Sequence, residues 1–318
     1  MRAHRRNKHI ALPAAIATLT ALLIPYAMSG DEEAAASTAT SIVYDPGPRL
    51  RCYSVSNESG ATNYGNDSRD CDAIDNPNRV DNSCTWFGYA SPRGTQCPAW
   101  RFVTYGWDEN RLRQYPGYDH QVQGPSGSPL KLVLQNNSRN LQDQCELKEV
   151  AFSYEYVGSS LKRRADGKEY NFSDGRAKVS YDASVEQSGD FRCAERRAIL
   201  TTDFIYRTAR GLNLISVVHY DPGTFSRPKQ DGVLWTNDCK DAQGAPSGCR
   251  VTVPGQRMEP GRTTRIDVDF TEIARQYAKY LNNEPVPSPS QIEAVQIVNS
   301  AKGADFKAEV SHVDVTLE

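Results

Sequence analysis

Aromatic and arginine side chains are interleaved between Trp86 and Tyr118, and their residue types suggest binding chemistry. Trp86, Trp107, Tyr118 and Arg111 are the candidates selected from this stretch. Flat aromatic rings stack on the apolar C–H faces of sugars, and arginine hydrogen-bonds to their hydroxyls. The pattern therefore favours a polysaccharide or other glycan ligand. The alternative is that aromatic residues such as Trp100 simply fill the core of a disulfide-rich region.

Paired acids are the second candidate for chemistry, because glycoside hydrolysis needs two carboxyl groups facing one cleft. Glu149 and Glu155 stand at even separation on one predicted strand and therefore share a face. Asp267 and Asp269 also share a face, but they alternate with apolar residues and are expected to face solvent. Glu149 and Glu155 are thus the weak catalytic candidates.

Histidines could instead serve as the base of a polysaccharide lyase. His120 stands beside Tyr118 in a predicted loop and is free to act. His219 and Tyr220 are neighbours on a predicted strand, so their side chains should point to opposite faces. A core position is therefore favoured for His219. These residues do not decide whether the protein is an enzyme.

Acidic residues crowd one loop, where Asp70, Asp72 and Asp75 are weak candidates for calcium ligands. The loop lacks the glycine and the terminal glutamate of an EF-hand, so a solvated turn is favoured. No pair of cysteines has the close spacing of a zinc knuckle. We therefore expect no cofactor, with structural calcium as the one candidate ion.

The cysteines are even in number, which is typical of disulfide bonding in an oxidising compartment. Cys239 and Cys249 flank a Gly-Ala-Pro-Ser-Gly turn and are predicted to pair, and two further bridges are expected within the first four cysteines. The eight cysteines are Cys52, Cys71, Cys84, Cys97, Cys145, Cys193, Cys239 and Cys249.

The N-terminus has the pattern of a signal peptide over residues 1–29. Four basic groups precede an uncharged stretch from Ile10 to Met28, and Pro13 and Pro25 argue against the competing hypothesis of a membrane anchor. Residues 30–41 are predicted to be a disordered spacer. Removal of the leader would change the formal net charge from -2 to -6, which disfavours nucleic acid as a partner. We expect a secreted monomer that has no membrane partner after cleavage.

Short runs of alternating apolar and polar residues recur from Leu130 onward, separated by turn-forming residues. This spacing predicts an all-β sandwich or barrel, and one run at 271–281 with helical spacing predicts a short helix. Asp269 and Glu272 are placed as its capping box. The strand-like runs are 130–135, 150–156, 177–185, 198–207, 212–220, 232–235, 250–253, 264–270 and 306–317.

No linker divides the cysteine- and aromatic-rich residues 42–125 from the runs that follow. We therefore predict one domain over 42–318, in which 42–125 supplies the first strands and long disulfide-linked loops. A separate small domain over 42–125 is the alternative.

The C-terminal segment contains TRIDVDFTEIARQYAKYLNN and SQIEAVQIVNSAKGADFKAEVSHVDVTLE. It resembles the closing strands of secreted jelly-roll proteins, concanavalin A-like or galactose-binding-like, that bind or act on carbohydrates. The resemblance implies a two-sheet antiparallel jelly-roll sandwich with one short helix. It rests on a polar strand, a short helix, a VQIVNS strand and a terminal alternating strand, and includes no catalytic signature.

The leading hypothesis from the sequence is a secreted carbohydrate-binding β-sandwich that engages extracellular polysaccharide through aromatic side chains. A glycoside hydrolase or polysaccharide lyase on the same fold is the first alternative. A non-catalytic interaction protein of the cell surface is the second. Two acids in one cleft, or a base beside an arginine, would favour an enzyme.

Overall fold

The computed structural model describes most of the chain from residue 39 onward. It contains two β-sheets, one α-helix and two short 3-10 helices in those parts. The described residues belong to one compact unit. None of the helices in the described ranges is long and apolar enough to span a membrane. The described residues are 39–49, 53–57, 62–63, 100–105, 118–125, 127–137, 145–155, 161–188, 193, 197–208, 211–222, 231–237, 239, 248–281 and 290–318.

The smaller sheet has six strands in the order β13-β8-β15-β6-β5, with β1 paired to the end of β15. All of its pairings are antiparallel. Its strands are β1 (Thr40–Ser41), β5 (Tyr118–Gln123), β6 (Lys131–Asn137), β8 (Ala177–Ser188), β13 (Thr264–Asp269) and β15 (Asp305–Leu317).

The larger sheet has nine strands in the order β11-β12-β10-β9-β14-β7-β4-β2-β3. Its strands are β2 (Tyr53–Asn57), β3 (Thr62–Asn63), β4 (Trp100–Tyr105), β7 (Lys148–Glu155), β9 (Arg197–Thr208), β10 (Gly211–Tyr220), β11 (Trp235–Thr236), β12 (Arg250–Pro254) and β14 (Gln291–Lys302).

The chain passes back and forth between the sheets, from β6 to β7, β8 and β9, and again from β13 to β14 and β15. This alternation confirms the predicted jelly-roll sandwich. Two pairings in the larger sheet depart from the antiparallel pattern, because β2 pairs with β4 and β10 with β12 in parallel. Long connections separate both pairs in sequence, and such connections allow parallel pairing.

The predicted disordered spacer ends earlier than expected. Thr40 and Ser41 pair with Leu317 and Thr316 as β1, and Ile42 is fully buried in the core. The chain therefore joins the smaller sheet two residues before the predicted domain boundary. The predicted signal peptide lies outside the described residues.

The core lies between the two sheets. It is built from the side chains that point inward, which alternate along each strand with side chains that point outward. Trp100, Phe102 and Phe152 form an aromatic cluster there, with ring centroids 5.3 to 6.5 Å apart. Trp100 is 1% exposed. The core alternative stated for Trp100 is therefore confirmed, and this residue contributes packing.

Two buried asparagines join the sheets through the core. Asn136 on β6 donates from Nδ2 to the Oδ1 and the backbone O of Asn299 on β14, at 2.7 and 2.8 Å. Asn299 in turn donates to the carbonyls of Leu134 and Phe306 at 2.8 and 3.1 Å. Their amides are thus satisfied by hydrogen bonds that also fix how the sheets face each other.

The helix α1 (Phe270–Gln276) begins where the sequence pattern predicts. Asp269 caps it by accepting from the backbone N–H of Glu272 at 2.9 Å. The helix ends before residue 281, because Tyr277 leaves the helical conformation and Ala278–Tyr280 forms a 3-10 turn. The predicted range 271–281 therefore covers two short elements.

Two disulfides are described, Cys239–Cys249 and Cys145–Cys193. The first confirms the pairing predicted from the turn between these cysteines. The second lies against Gly303, where a Cβ atom would be 2.5 Å from Sγ of Cys193, so this position accepts only glycine without rearrangement. The bridges predicted among Cys52, Cys71, Cys84 and Cys97 lie outside the described residues.

Candidate functional site

The outer face of the larger sheet carries a row of paired residues that crosses seven strands. Six inter-strand spacings give the row a length of about 29 Å. In order across the sheet, the row consists of Arg101, Ser153, Gln296, Asp203, Ser216, Thr252 and Trp235. Because facing residues of adjacent strands lie side by side, strands distant in sequence place their polar groups on one surface.

A groove of about 780 Å³ lies over this face. Leu147, Leu212 and Trp235 line it, and these three are the exposed large hydrophobic side chains in the described parts of the chain. Between them lie hydroxyl, amide, carboxylate and guanidinium groups. The groove therefore combines apolar surface with hydrogen-bonding groups, which is the usual composition of a ligand site.

Asp203 lies on β9 in the floor of the groove. Its Oδ1 accepts from the Oγ of Ser216 at 2.6 Å, and Thr201 also hydrogen-bonds to it. Burial raises the pKa of Asp203 to about 6, and the charge of Glu149 adds to this shift, whereas the two hydrogen bonds oppose it. The carboxyl group can thus exchange a proton near neutral pH.

Glu149 on β7 is the second carboxylate that lines the groove. Its Oε1 accepts from the Oγ of Ser300 on β14 at 2.7 Å. On the other side it is paired in register with Tyr105 of β4, which also lines the groove. Burial raises the pKa of Tyr105, and Glu155 and Glu149 raise it further, so its phenol remains neutral and able to donate.

Glu155 lies on the same face of β7, as its even separation from Glu149 predicts. It does not line the groove, because Arg101 holds it in a buried ion pair with Nη2 and Oε2 2.5 Å apart. Its Oε1 accepts from Ser153 at 2.5 Å and from Gln296 at 3.5 Å. Glu149 and Asp203 thus line one groove, but they lie in different rows of the sheet, because Glu149 faces Ser300 on β14 and Asp203 faces Gln296. Glu155 is paired with Arg101 instead.

Trp235 forms one end of the row, on the edge strand β11. The guanidinium of Arg250 lies over its indole ring, 5.5 Å from the centroid. Asn237 fixes this edge, because its Oδ1 accepts from the backbone N–H of Arg250 at 2.7 Å and its Nδ2 donates to the carbonyl of Gly248 at 3.0 Å. The side chain of Trp235 is 39% exposed, so its ring can be reached from the groove.

The histidine candidates lie elsewhere than predicted. His120 and Tyr118 are on strand β5 of the smaller sheet, so the expectation that they lie in a loop is wrong. A β-bulge after Val218 turns both His219 and Tyr220 into the core, where they are 2% and 6% exposed, so the expectation of opposite faces is also wrong.

His219 lies in the core, as expected from the sequence, and both of its ring nitrogens have a polar partner. Its Nε2 is 2.9 Å from Oγ1 of Thr202, and its Nδ1 is 3.3 Å from the carbonyl oxygen of Gln256. Thr202 is in turn 2.7 Å from the hydroxyl of Tyr181. Burial lowers the pKa of His219 to about 4, so the imidazole is neutral at physiological pH.

Several predicted site residues lie outside the described residues, so their predicted roles remain predictions. They are Trp86, Trp107 and Arg111, the ligand candidates, and Asp70, Asp72 and Asp75, the calcium candidates. Within the described ranges, no group of three or more His, Cys, Asp or Glu side chains is arranged to hold a metal ion.

Sequence reasoning missed Asp203 and Trp235, although both lie in runs that were predicted as strands. The sequence does contain a signal for Asp203. On its own face of β9 its neighbours are Thr201 and Ile205, and the other face carries Leu200, Thr202 and Phe204. An acid in a strand with apolar residues on both faces is a costly arrangement, and such arrangements concentrate at functional sites.

No family model and no curated protein sequence matches the chain. Among solved structures, a family 12 xyloglucanase from Bacillus licheniformis has a TM-score of 0.40 and 12% identity, over 67% of this chain and 90% of the other. A loop-swap mutant of Xyn11A from Neocallimastix patriciarum has a TM-score of 0.39 and 10% identity, over 68% and 100%. Endoglucanase Cel12A from Rhodothermus marinus has a TM-score of 0.37 and 10% identity, over 63% and 86%. Identities and TM-scores this low do not allow the activities of these enzymes to be assigned to this chain.

Proposed function

We propose that the groove on the outer face of the larger sheet binds a polysaccharide. One observation carries the proposal: the exposed large hydrophobic side chains of the described residues, Leu147, Leu212 and Trp235, all line this groove. Exposed apolar side chains that line one groove, with polar groups between them, are typical of a binding site.

The chemistry of the lining favours a glycan over an apolar ligand. A sugar has apolar C–H faces that suit the ring of Trp235 and the two leucines. Its hydroxyls suit Asp203, Ser216 and Thr252, which combine acceptors with hydroxyl groups that both donate and accept. The row crosses seven strands, so a linear chain lying along it would meet Asp203, Ser216, Thr252 and Trp235 in succession.

Hydrolysis of the bound glycan is a second candidate function, and a specific observation favours it. Glu149 and Asp203 line the same groove, and the pKa of Asp203 is raised to about 6 by burial. Glycoside hydrolysis uses one carboxyl group that is protonated and a second that is ionised. Asp203 would be the proton donor and Glu149 the ionised partner.

Binding and hydrolysis can be separated by two assays on the same substrates. The protein would be tested for retention in gels that contain xyloglucan, xylan or soluble cellulose derivatives, and for release of reducing ends. Retention of the protein in a gel without release of reducing ends supports the binding function alone. Release that falls by at least about 100-fold in Glu149→Gln and in Asp203→Asn supports hydrolysis. Asp267→Asn is the matched control, because Asp267 is an exposed acid on the other sheet.

The compartment and partners are part of the same proposal. The two described disulfides fit an oxidising compartment, so we propose secretion. A polysaccharide is then the expected extracellular partner, and the protein is expected to act as a monomer without nucleic acid. If no glycan is retained in any gel, an interaction protein of the cell surface becomes the better hypothesis.

A further inference from the structure

A second depression lies on the loop between β12 and β13 and shares no lining residue with the groove. Its volume is about 420 Å³, and every residue that lines it is polar or charged. Three of them are arginines, Arg257, Arg262 and Arg265, and Glu259 is the one acid among the lining residues. A lining of this kind suits a polar anion.

The arginines differ in how they are held. Arg265 is fixed on the smaller sheet, where it donates to the Oγ of Ser180 at 2.7 Å and lies 3.4 Å from Oδ1 of Asp182 and 3.8 Å from Oδ1 of Asp267.

Within the described part of the chain, neither Arg257 nor Arg262 forms an ion pair, although Glu259 is close by in the same lining. Two guanidinium groups that share one depression repel each other. A bound anion would turn this repulsion into a favourable interaction, so the arrangement suits an anionic ligand.

The loop that carries these arginines is anchored to both sheets. The N–H groups of Gly255 and Met258 donate to the carbonyls of Val218 and His219 on β10, each at 2.8 Å. The N–H of Gly261 donates to a carbonyl of β8 at 2.9 Å. The side chain of Met258 is buried in the core. The backbone is therefore held in place before any ligand arrives, which reduces the entropic cost of binding.

We propose that this depression, which we call the arginine pocket, binds an oxyanion group of an acidic polysaccharide. The group is the carboxylate of a uronic acid or a sulfate ester, since both match the planar fork of a guanidinium. The inference goes beyond the proposed function, which concerns the groove. A single small depression on a chain of net charge -2 favours an acidic glycan over a nucleic acid, whose binding proteins carry extended basic stripes.

The test compares two double variants of the full chain. Arg257→Gln with Arg262→Gln removes the two arginines without an ion pair. Arg163→Gln with Arg275→Gln removes the same charge from other elements. Retention is measured in gels that contain dextran sulfate, polygalacturonate or neutral dextran. The first double variant is expected to bind the acidic glycans about tenfold more weakly, which corresponds to the loss of one charge-assisted hydrogen bond.

The outcomes separate the explanations. Selective loss of retention in the first double variant supports the arginine pocket, and the gel in which it occurs shows whether sulfate or carboxylate is recognised. Equal loss in both double variants overturns the proposal, because net charge alone would then explain retention. The proposal is also overturned if neither acidic glycan retains the wild type. The choice of glycan is contradicted if the wild type binds single-stranded DNA more tightly than the acidic glycans and if this binding also depends on Arg257 and Arg262.

Retention by neutral xyloglucan tests the groove independently. We expect it to be the same in wild type and in the arginine double variant. If the groove proposal fails, xyloglucan is not retained by either protein, whereas dextran sulfate is still retained more strongly by the wild type than by the arginine double variant.

Discussion

The Oγ of Ser216 donates to the Oδ1 of Asp203 at 2.6 Å across the β9–β10 pair, in the floor of the groove. This hydrogen bond stabilises the ionised carboxylate, but burial outweighs it and raises the pKa of Asp203 to about 6. The native protein therefore holds a carboxyl group in an environment that penalises its charge. A group kept under such a penalty is a candidate for function.

Asp203→Asn is expected to stabilise the protein at neutral pH. The folded pKa of Asp203 lies above the unfolded value, so its contribution to stability is full below about pH 3.8 and is lost as pH rises through about 6. An amide carries no charge, so the variant should gain about 1–3 kcal/mol in the free energy of unfolding above pH 6.

Urea unfolding at pH 7.5 and pH 4 measures this gain. The difference between Asp203→Asn and wild type should be largest at pH 7.5 and should shrink towards pH 4. A variant that is less stable than wild type at pH 7.5 would show that the carboxylate is stabilising, contrary to the burial argument.

His219 is expected to make the protein less stable in acid. Its folded pKa of about 4 lies below the unfolded value of about 6.5, so the unfolded chain binds a proton first as pH falls. Stability from this residue is full above about pH 6.5 and is lost as pH falls towards 4, by about 3 kcal/mol in total.

His219→Gln removes this titration and should flatten the decrease in the free energy of unfolding between pH 6.5 and 4.5. His312→Gln is the matched control, because His312 has a side chain that is 55% exposed and pairs with Asp182 on the surface. An unchanged acid slope in His219→Gln, or an equal change in His312→Gln, would rule out His219 as the cause.

Asn299→Ala is expected to cost about 2–4 kcal/mol of stability, because it removes the side-chain acceptor of the buried Asn136 amide and the donor to the carbonyls of Leu134 and Phe306. A double-mutant cycle with Asn136→Ala checks that the two residues act as one unit. The double variant should lose clearly less than the sum of the single variants. Additive losses would mean that the link between the sheets has no energetic role.

Much of the fold could be predicted from the sequence, because the alternation of apolar and polar residues along a strand is a local signal. The runs 177–185 and 198–207 correspond to β8 and β9, and the predicted capping residue Asp269 begins the helix. The strand β5 was missed. Its sequence, YDHQVQ, lacks clear alternation, and it owes its place to pairing with β6.

The site could be predicted only in part, because it depends on sheet order and register. Glu149 was identified from its spacing to Glu155, but spacing cannot show that Glu155 is paired with Arg101, which lies more than fifty residues earlier in the chain. Glu149 and Asp203 line one groove because β14 lies between β7 and β9. No local pattern specifies that order, since it follows from the long-range packing of the sandwich.

The central claim, that the groove binds polysaccharide, is tested most directly by the affinity of Trp235 variants for a glycan that the wild type retains. Trp235→Ala removes the exposed ring and should weaken binding about tenfold or more, and Trp235→Phe should restore part of it, because a flat face remains. Thermal stability should change little, since Trp235 is on an edge strand and 39% exposed. Equal affinity of wild type and Trp235→Ala for xyloglucan, xylan and cellulose derivatives would contradict the claim.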